Sequence, residues 1–265
     1  MRVLVTGSSG FIGSHLVRAL SAKHDVAEFD MKRSPAQDVR SLDAVTQAAK
    51  GADAIVHLAA LCNDAESVQR PGDYFETNVI GTFNVLEAAH RLGVRKVLSS
   101  SSAATAGTTP YGASKACGEL LCGSYANTHG MRVASLRFFN VYGSGNDKGV
   151  VRAFFDRIRA GKPVIVHDDG EYVRDYVHVR DVVSTIGKFL AEDFEPGVHD
   201  VGTGIGTTVN ELVGIVSRVT GRKPGVEHER IAYDMVRTSI AKRPCVARPT
   251  NLEDGLKEVW EKWKG

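Results

Sequence analysis

A glycine-rich turn close to the N-terminus places the strongest constraint on the fold. Residues 3–5 (VLV) form a short apolar run typical of a buried strand, and a helical pattern begins near Ile12. Between them lie Gly7, Gly10 and Gly13 at GxxGxxG spacing. Such a turn between a strand and a helix brings backbone N–H groups and the positive end of a helix dipole to a pyrophosphate. The motif alone also fits an ordinary tight turn, so other residues must distinguish the two.

Strand-like and helical patterns alternate over the first 140 residues. Strand-like runs lie near residues 3–5, 26–30, 54–59, 96–99 and 133–137, and helical patterns near 12–20, 42–49, 77–92 and 111–128. Because the strand-like runs are nearly all apolar, we expect parallel strands covered by helices on both faces. The pattern predicts an α/β fold with a Rossmann-type doubly wound parallel sheet.

The pattern changes after Asn140, where loops rich in Gly, Asp and Lys surround short helices near residues 151–160 and 181–190. We therefore expect a dinucleotide-binding domain over residues 1–143, to which a later strand near residues 198–202 also belongs. A smaller substrate-binding region is expected over residues 144–265.

Composition excludes several classes of protein. Of the 265 residues, 43% are hydrophobic and the net charge is +2, which argues against disorder, nucleic-acid binding and a membrane surface. No apolar run approaches 18 residues, and no signal-peptide core follows Met1. Cys62, Cys117, Cys122 and Cys245 include no CxxC pair, so we expect reduced thiols in a cytoplasmic protein and no metal site.

Asp30 ends the second predicted strand. A carboxylate at this position accepts hydrogen bonds from the adenosine ribose of NAD and repels the additional phosphate of NADP. Lys32 and Arg33 follow closely and could accept that phosphate. The sequence therefore favours NAD and leaves NADP as an alternative.

Tyr111 and Lys115 form a YxxxK pair in a predicted helix, where residues four apart share a face. An ammonium group beside a phenol favours phenolate, so we expect Lys115 to lower the pKa of Tyr111 from about 10 toward neutrality. Such a base can take a proton from an alcohol while hydride leaves the same carbon.

With these motifs the chain resembles the extended short-chain dehydrogenases/reductases, in the NAD-dependent epimerase/dehydratase family that acts on nucleotide sugars. Further segments carry the resemblance over nearly the whole length: residues 38–39 (DV), 57–60 (HLAA), 77–82 (TNVIGT), 99–102 (SSSS), 136–143 (LRFFNVYG) and 174–181 (RDYVHVRD). The resemblance implies that one set of residues contacts NAD. This set is Gly7, Gly10, Phe11, Ile12, Gly13, Asp30, Asp38, Val39, Leu58, Ala59, Ala60, Asn78, Tyr111, Lys115 and Phe139.

The resemblance also implies a catalytic set of Ser102, Tyr111 and Lys115, and substrate contacts from Ser102, Asn140 and Arg174. Arg174 matches the arginine that grips the diphosphate of the sugar nucleotide. A second arginine of that grip has no clear match here. Arg230 and Arg237 are both alternatives for it.

The active-site hydroxyl of the family lies five residues before Gly107, which indicates Ser102, with Ser101 as the alternative. Sugar 4,6-dehydratases of the family carry Asp-Glu directly after this hydroxyl residue. Ala103 and Ala104 follow Ser102 here, which leaves epimerisation or simple oxidoreduction. The loop between Gly107 and Tyr111 is short compared with relatives, and we expect it to leave the sugar pocket more open.

The resemblance implies an NAD-dependent nucleotide-sugar epimerase, of the UDP-glucose/UDP-galactose 4-epimerase type. Tyr111 removes the proton of the 4-hydroxyl, directly or through Ser102, while hydride passes to the nicotinamide. The 4-keto sugar turns over and hydride returns to its other face. The alternatives are a net oxidoreductase of the family, such as a ketosugar reductase or an alcohol dehydrogenase, and a non-catalytic NAD-binding protein. Family members often dimerise through the helices near Asn78 and the YxxxK motif, so we expect a homodimer, with Ala116, Leu120 and Leu121 at its interface.

Overall fold

The computed structural model describes residues 1–230 and 236–264, and the chain divides into two compact units. The first comprises Met1–Phe138 and Val183–His199, and the second comprises Phe139–Val182 and Asp200–Gly265. The sequence pattern predicts a division near residue 143, with only a strand near residues 198–202 returning to the first domain. The compact units divide earlier and return the segment Val183–His199 to the first unit.

A six-stranded sheet with order β2-β1-β3-β4-β5-β9 organises the first unit. Its strands are β1 (Arg2–Thr6), β2 (Asp25–Phe29), β3 (Ala54–His57), β4 (Lys96–Ser102), β5 (Arg132–Phe138) and β9 (Gly197–Val201). The pairs β1·β2, β1·β3, β3·β4 and β4·β5 are parallel. Strand residues such as Leu4, Ile55 and Val97 are fully buried, because helices cover both faces of a parallel sheet. The predicted Rossmann-type fold is confirmed.

The helices up to residue 138 are α1 (Phe11–Leu20), α2 (Leu42–Ala49), α3 (Asp64–Gln69), α4 (Pro71–Tyr74), a π-helix (Phe75–Ile80), α5 (Gly81–Arg91), a 3₁₀ helix (Ala103–Ala106) and α6 (Pro110–His129). The single helix predicted over residues 77–92 is therefore a π-helix that continues as α5. The sequence analysis missed α3 and α4, since helices this short show no apolar periodicity. Local signals mark their starts: Asn63 caps α3 by accepting from Glu66 N, and Pro71 is the first residue of α4.

The second unit contains two smaller sheets. In one, β8 (Val173–His178) pairs with β6 (Asn140–Tyr142), β10 (Gly206–Thr208) and β12 (Thr238–Ser239). In the other, β7 (Val164–His167) pairs with β11 (Val226–Glu229). The remaining helices are α7 (Val150–Arg159), α8 (Val179–Ala191), α9 (Val209–Thr220) and α10 (Leu252–Lys264). Phe154, Phe155 and Trp260 lie in the apolar core of this unit. No helix in the described part of the chain is long and apolar enough to cross a bilayer.

Candidate active site

The glycine-rich loop is packed more closely than side chains would allow. Gly7 has φ +70°, and a Cβ atom on it would lie 2.6 Å from Ala59 N. A Cβ atom on Gly13 would lie 2.0 Å from Gly7 O. Glycine at these two positions lets β1, the start of α1 and the chain after β3 approach each other through their backbones.

The N-terminus of α1 leaves hydrogen-bond donors available. Gly10 is the N-cap and provides no side-chain cap, and the first bond of the helix runs from Ser14 N to Gly10 O at 2.9 Å. The N–H groups of Phe11 and Ile12 precede that bond. Ser8 Oγ is buried and has no hydrogen-bond partner among the described residues. Backbone donors, a buried hydroxyl and the positive end of the helix together fit the pyrophosphate of a dinucleotide.

Asp30 lies directly after β2 and faces the glycine-rich loop. Its carboxylate accepts hydrogen bonds from Ser9 N at 2.9 Å and from Lys32 N at 2.8 Å. A carboxylate has about four acceptor positions, so these bonds leave room for ribose hydroxyls. The guanidinium of Arg33 is paired with Glu28 at 3.2 Å. This ion pair directs Arg33 to a carboxylate, which favours NAD over NADP.

The two predicted adenine contacts are anchored by neighbouring side chains. Arg40 donates to both carboxylate oxygens of Asp38, and this hydrogen bonding lowers the pKa of Asp38. Val39 is buried, and its carbonyl oxygen accepts from Asn84 Nδ2 at 2.9 Å. Both residues therefore have a fixed position after β2, while their contacts with adenine stay a prediction.

Asn78 holds the chain that follows β3, where Leu58, Ala59 and Ala60 are predicted to contact NAD. Its amide accepts from Leu61 N at 2.9 Å, and it donates to Leu61 O at 3.0 Å and to Ser114 Oγ at 2.9 Å. Asn78 is 2% exposed. The amide thus positions this segment, and a direct contact between Asn78 and NAD stays a prediction.

A buried polar network also reaches this segment from the opposite side. His57 Nδ1 lies 2.7 Å from Thr6 Oγ1, and His57 Nε2 lies 3.2 Å from Thr82 Oγ1. Thr6 Oγ1 accepts from Ala59 N, and Thr82 Oγ1 donates to Asn78 O. Thr82 gives its one hydroxyl proton to Asn78 O, so it accepts from His57 Nε2, which therefore carries the imidazole proton. Nδ1 is then the acceptor nitrogen, and Thr6 donates to it. Burial lowers the pKa of His57 to about 3, which keeps the ring neutral.

Helix α6 and strand β4 bring the three predicted catalytic residues together. Thr109 caps α6 by accepting from Gly112 N at 3.2 Å, which places Tyr111 and Lys115 in successive turns. The Ser102 side chain lies near the Tyr111 hydroxyl, where it acts to lower the pKa of the phenol. Lys115 is buried, and its Nζ donates to Ser100 O at 3.0 Å and to Ser100 Oγ at 3.3 Å.

The hydrogen bonds of β4 distinguish between the two candidate serines. Ser101 Oγ donates to Glu119 Oε1 at 2.6 Å, so its hydroxyl is engaged away from the phenol. Ser102 Oγ accepts from Ala104 N at 3.1 Å, and the Ser102 side chain lies near the phenol and acts to lower its pKa. Side chains alternate along a strand, which separates the two serines. The geometry favours Ser102.

Glycine also explains how the short loop before α6 packs. The 3₁₀ helix Ala103–Ala106 lies directly against the first turn of α6, and a Cβ atom on Gly112 would lie 2.3 Å from Ala104 O. No larger residue fits at this position without moving the backbone. Whether the short loop opens a sugar pocket stays a prediction.

The electrostatics correct one prediction. Burial raises the pKa of the Tyr111 phenol, and the Cys62 thiol adds to the rise. Burial also lowers the pKa of Lys115 to about 8. The Lys115 ammonium points to Ser100, and it does not bring the phenol toward neutrality, so the predicted effect of Lys115 alone is wrong. Phenolate formation requires additional positive charge at this position.

Sequence reasoning missed three residues around the phenol. Tyr74 meets Tyr111 edge-on, with 6.2 Å between ring centroids. Asp64 accepts from Thr109 Oγ1 at 2.5 Å, and both Asp64 and Cys62 raise the pKa of Tyr111. These residues belong to the segment from the end of β3 to the end of α4, whose sequence shows no apolar periodicity. Their proximity to Tyr111 depends on long-range packing.

The remaining predicted residues lie in the second unit. Phe139 is 7% exposed, and its N–H donates to Val201 O at 3.3 Å. Asn140 Nδ2 donates to Asp175 O at 3.4 Å. Arg174 Nη1 donates to Val173 O at 2.9 Å and to Arg237 O at 3.2 Å. Arg237 thus lies beside Arg174 within this unit.

Comparisons with known proteins show which family and which solved structures the chain is similar to. The model of the NAD dependent epimerase/dehydratase family matches residues 3–202. The UDP-glucose 4-epimerase of Rhizobium leguminosarum bv. trifolii is 32% identical over 277 residues, which cover 85% of this chain and 84% of that protein. The structure of Thermus thermophilus UDP-glucose 4-epimerase in complex with NAD has a TM-score of 0.90 at 30% identity, covering 100% of this chain and 99% of the other. A dTDP-glucose 4,6-dehydratase of Streptomyces venezuelae, solved with NAD, also has a TM-score of 0.90, at 27% identity and covering 100% and 97%.

The chain belongs to the NAD-dependent epimerase/dehydratase family. Its cofactor is NAD, and the predicted resemblance to extended short-chain dehydrogenases/reductases is confirmed.

Proposed function

We propose that this protein interconverts UDP-hexoses at carbon 4, in the manner of a UDP-glucose 4-epimerase. The observation that carries the proposal is the group of Tyr111, the neighbouring Ser102 and Lys115 one helical turn away, in the same unit as the NAD-binding loop. Family relatives named UDP-glucose 4-epimerase support the choice of substrate. Ala103 and Ala104 follow Ser102, so the carboxylate pair of the family's dehydratases is absent from this segment.

Each catalytic residue has a role that its surroundings support. Tyr111 is the general base that takes the proton of the 4-hydroxyl, directly or through the neighbouring hydroxyl of Ser102. A bound NAD supplies the hydride acceptor and the positive charge of its nicotinamide ring. Lys115 adds a second positive charge, held by the two oxygens of Ser100. Two cations together offset the effect of burial on the pKa of Tyr111.

Arg174 and Asn140 bind the diphosphate of the nucleotide sugar in this proposal. Between the two alternatives for a second arginine, Arg237 is favoured over Arg230. Its carbonyl oxygen accepts from Arg174, and β12 starts directly after it and pairs with β8. A guanidinium is suited to bidentate contacts with phosphate oxygens.

A coupled assay tests the activity and the substrate class. The purified protein is incubated with added NAD and a panel of nucleotide sugars, and the products are separated by chromatography. Interconversion of UDP-glucose and UDP-galactose without net reduction of NAD supports the proposal. Reduced cofactor accumulating in proportion to a ketosugar supports the net oxidoreductase, and a protein that binds NAD with no turnover of any sugar supports a non-catalytic role.

We also propose that the protein forms a homodimer and that it acts in the cytoplasm. Leu120 of α6 is 75% exposed, and Ile80 and Phe83 are also exposed near α5, so apolar side chains are available for an interface. Leu121, which the sequence analysis also placed there, packs against the core of the first unit instead. Light scattering at micromolar concentration should report a dimer for the wild type and a monomer for Leu120→Glu. A monomeric wild type contradicts the proposed homodimer. None of the four cysteines forms a disulfide bond with a described residue, which supports a reducing compartment.

A further inference from the structure

Two guanidinium groups lie against one tyrosine ring in the second unit. The Cζ atom of Arg174 is 5.3 Å from the centroid of the Tyr172 ring, and the Cζ atom of Arg237 is 5.1 Å from it. Both distances are within the range of a cation–π interaction. Tyr172 is half-buried, and its hydroxyl donates to Asp168 Oδ2 at 2.8 Å. The ring is therefore held in place by a bond at its far end.

The backbone brings these two arginines together, and two carbonyl oxygens hold Nη1 of the Arg174 guanidinium. Val173 N donates to Arg237 O at 2.9 Å, and Thr238, the next residue, pairs with Val173 across the two strands. Arg174 Nη1 also donates to Arg237 O. An arginine side chain has several rotatable bonds, and two like charges repel each other, so neighbouring backbones do not by themselves align two guanidinium groups.

Two further contacts counter that repulsion. Asp169 forms an ion pair with Arg237, which balances one of the positive charges. The negative face of the Tyr172 ring attracts both guanidinium groups. Arginine groups arranged before the ligand arrives bind an anion more tightly, because less side-chain freedom is lost on binding.

We propose that Tyr172 is a positioning residue that aligns Arg174 and Arg237 as a paired clamp for the substrate diphosphate. The inference rests on the proposed function, since it deepens the assignment of a nucleotide-sugar substrate. Tyr172 touches the arginines and acts through them. The aromatic ring lies within cation–π distance of both guanidinium groups, and the hydroxyl also interacts with Arg237.

Replacement of the ring tests the inference directly. Tyr172→Leu removes both cation–π contacts, and Tyr172→Met is a second ring-free variant in case the first does not fold. Tyr172→Phe is the matched control, because it keeps the ring and loses only the interactions of the hydroxyl with Asp168 and Arg237. Calorimetry with UDP as the probe measures the clamp without requiring the correct sugar, and NAD binding reports whether the fold is intact.

The expected losses follow from the two contacts. Tyr172→Leu and Tyr172→Met should weaken UDP binding by about 5- to 30-fold, and Tyr172→Phe by less than about 3-fold. KM for the nucleotide sugar should rise by a similar factor while kcat changes little. In an Arg237→Ala background, Tyr172→Leu should reduce UDP affinity by a smaller factor than it does in the wild-type background, because one of the two cation–π contacts is already missing.

The outcomes separate this inference from the proposed function. If the wild type does not bind UDP, both the proposed function and the proposed diphosphate clamp are wrong. If the wild type binds UDP and Arg174→Ala weakens that binding, but both ring-free variants bind UDP like the wild type, only the inference is overturned. A loss of UDP binding in Tyr172→Phe equal to that in Tyr172→Leu also overturns it, because the hydroxyl would then be the important group.

Discussion

Acid should destabilise this protein through His57. Burial, and to a smaller degree the charge of Lys115, lowers the pKa of His57 in the folded protein to about 3, against an ordinary value of 6.5. Below pH 6.5 the unfolded chain therefore takes up a proton that the folded protein does not bind. Stability contributed by the neutral ring is lost as the pH falls from 6.5 toward 3.

The size of the effect follows from the two pKa values. Between pH 7 and pH 5, a group with a pKa of about 3 in the folded state and 6.5 in the unfolded state reduces the free energy of unfolding by about 2 kcal/mol. His57→Gln removes the titrating group and keeps a side chain that can bond to Thr82. The variant should be less stable at pH 7, but its stability should depend less on pH.

Urea unfolding at pH 7 and pH 5 measures this difference. The wild type should lose about 2 kcal/mol more than His57→Gln between the two pH values, because all other titrating groups contribute equally to both proteins. His167→Gln, at an exposed position of β7, is the matched control and should lose stability as the wild type does. Equal losses in the wild type and His57→Gln would refute the assignment of a neutral, buried His57.

Variants at three site residues should have separable effects. Tyr111→Phe should bind NAD normally, but its turnover should fall by about 10²- to 10⁴-fold, since it keeps the ring and removes the general base. Single-turnover kinetics measures this fall, and unchanged activity excludes Tyr111 as the base. Asp30→Ala should weaken the binding of NAD and reduce the preference for NAD over NADP in direct titrations, because the carboxylate that faces the glycine-rich loop is lost. A wild-type protein that binds NADP more tightly than NAD contradicts the role of Asp30. Arg174→Ala should raise KM by an amount equivalent to about 1.5–3 kcal/mol, and Arg174→Lys should recover only part of it, since lysine lacks the planar fork. Equal KM values in Arg174→Ala and the wild type, with circular dichroism showing an intact fold, exclude the contact with phosphate.

Local patterns were sufficient for the central sheet and the cofactor loop. Apolar runs near residues 54–59 and 96–99 correspond to β3 and β4, because strands buried on both faces need apolar side chains throughout. The three glycines were informative for a similar reason. A side chain on Gly13 would collide with the backbone of Gly7, so the spacing reports a tertiary contact.

Contacts between distant segments were not predictable from the sequence. The orientation of Lys115 toward Ser100 depends on how α6 lies on β4, and the effect of Asp64 on Tyr111 depends on the segment between β3 and α4. Periodicity also does not distinguish a π-helix from an α-helix, so the helix before α5 was assigned incorrectly. The choice between Ser101 and Ser102 required the partner of each hydroxyl, which only the fold supplies.

Isotope labelling tests the central claim most directly. UDP-galactose carrying deuterium at carbon 4 is incubated with the protein and NAD, and the products are followed by nuclear magnetic resonance. Epimerisation at carbon 4 predicts UDP-glucose that keeps the deuterium at carbon 4, with no net reduction of the added NAD. Unchanged UDP-galactose, or a ketosugar formed together with reduced cofactor, would contradict the account.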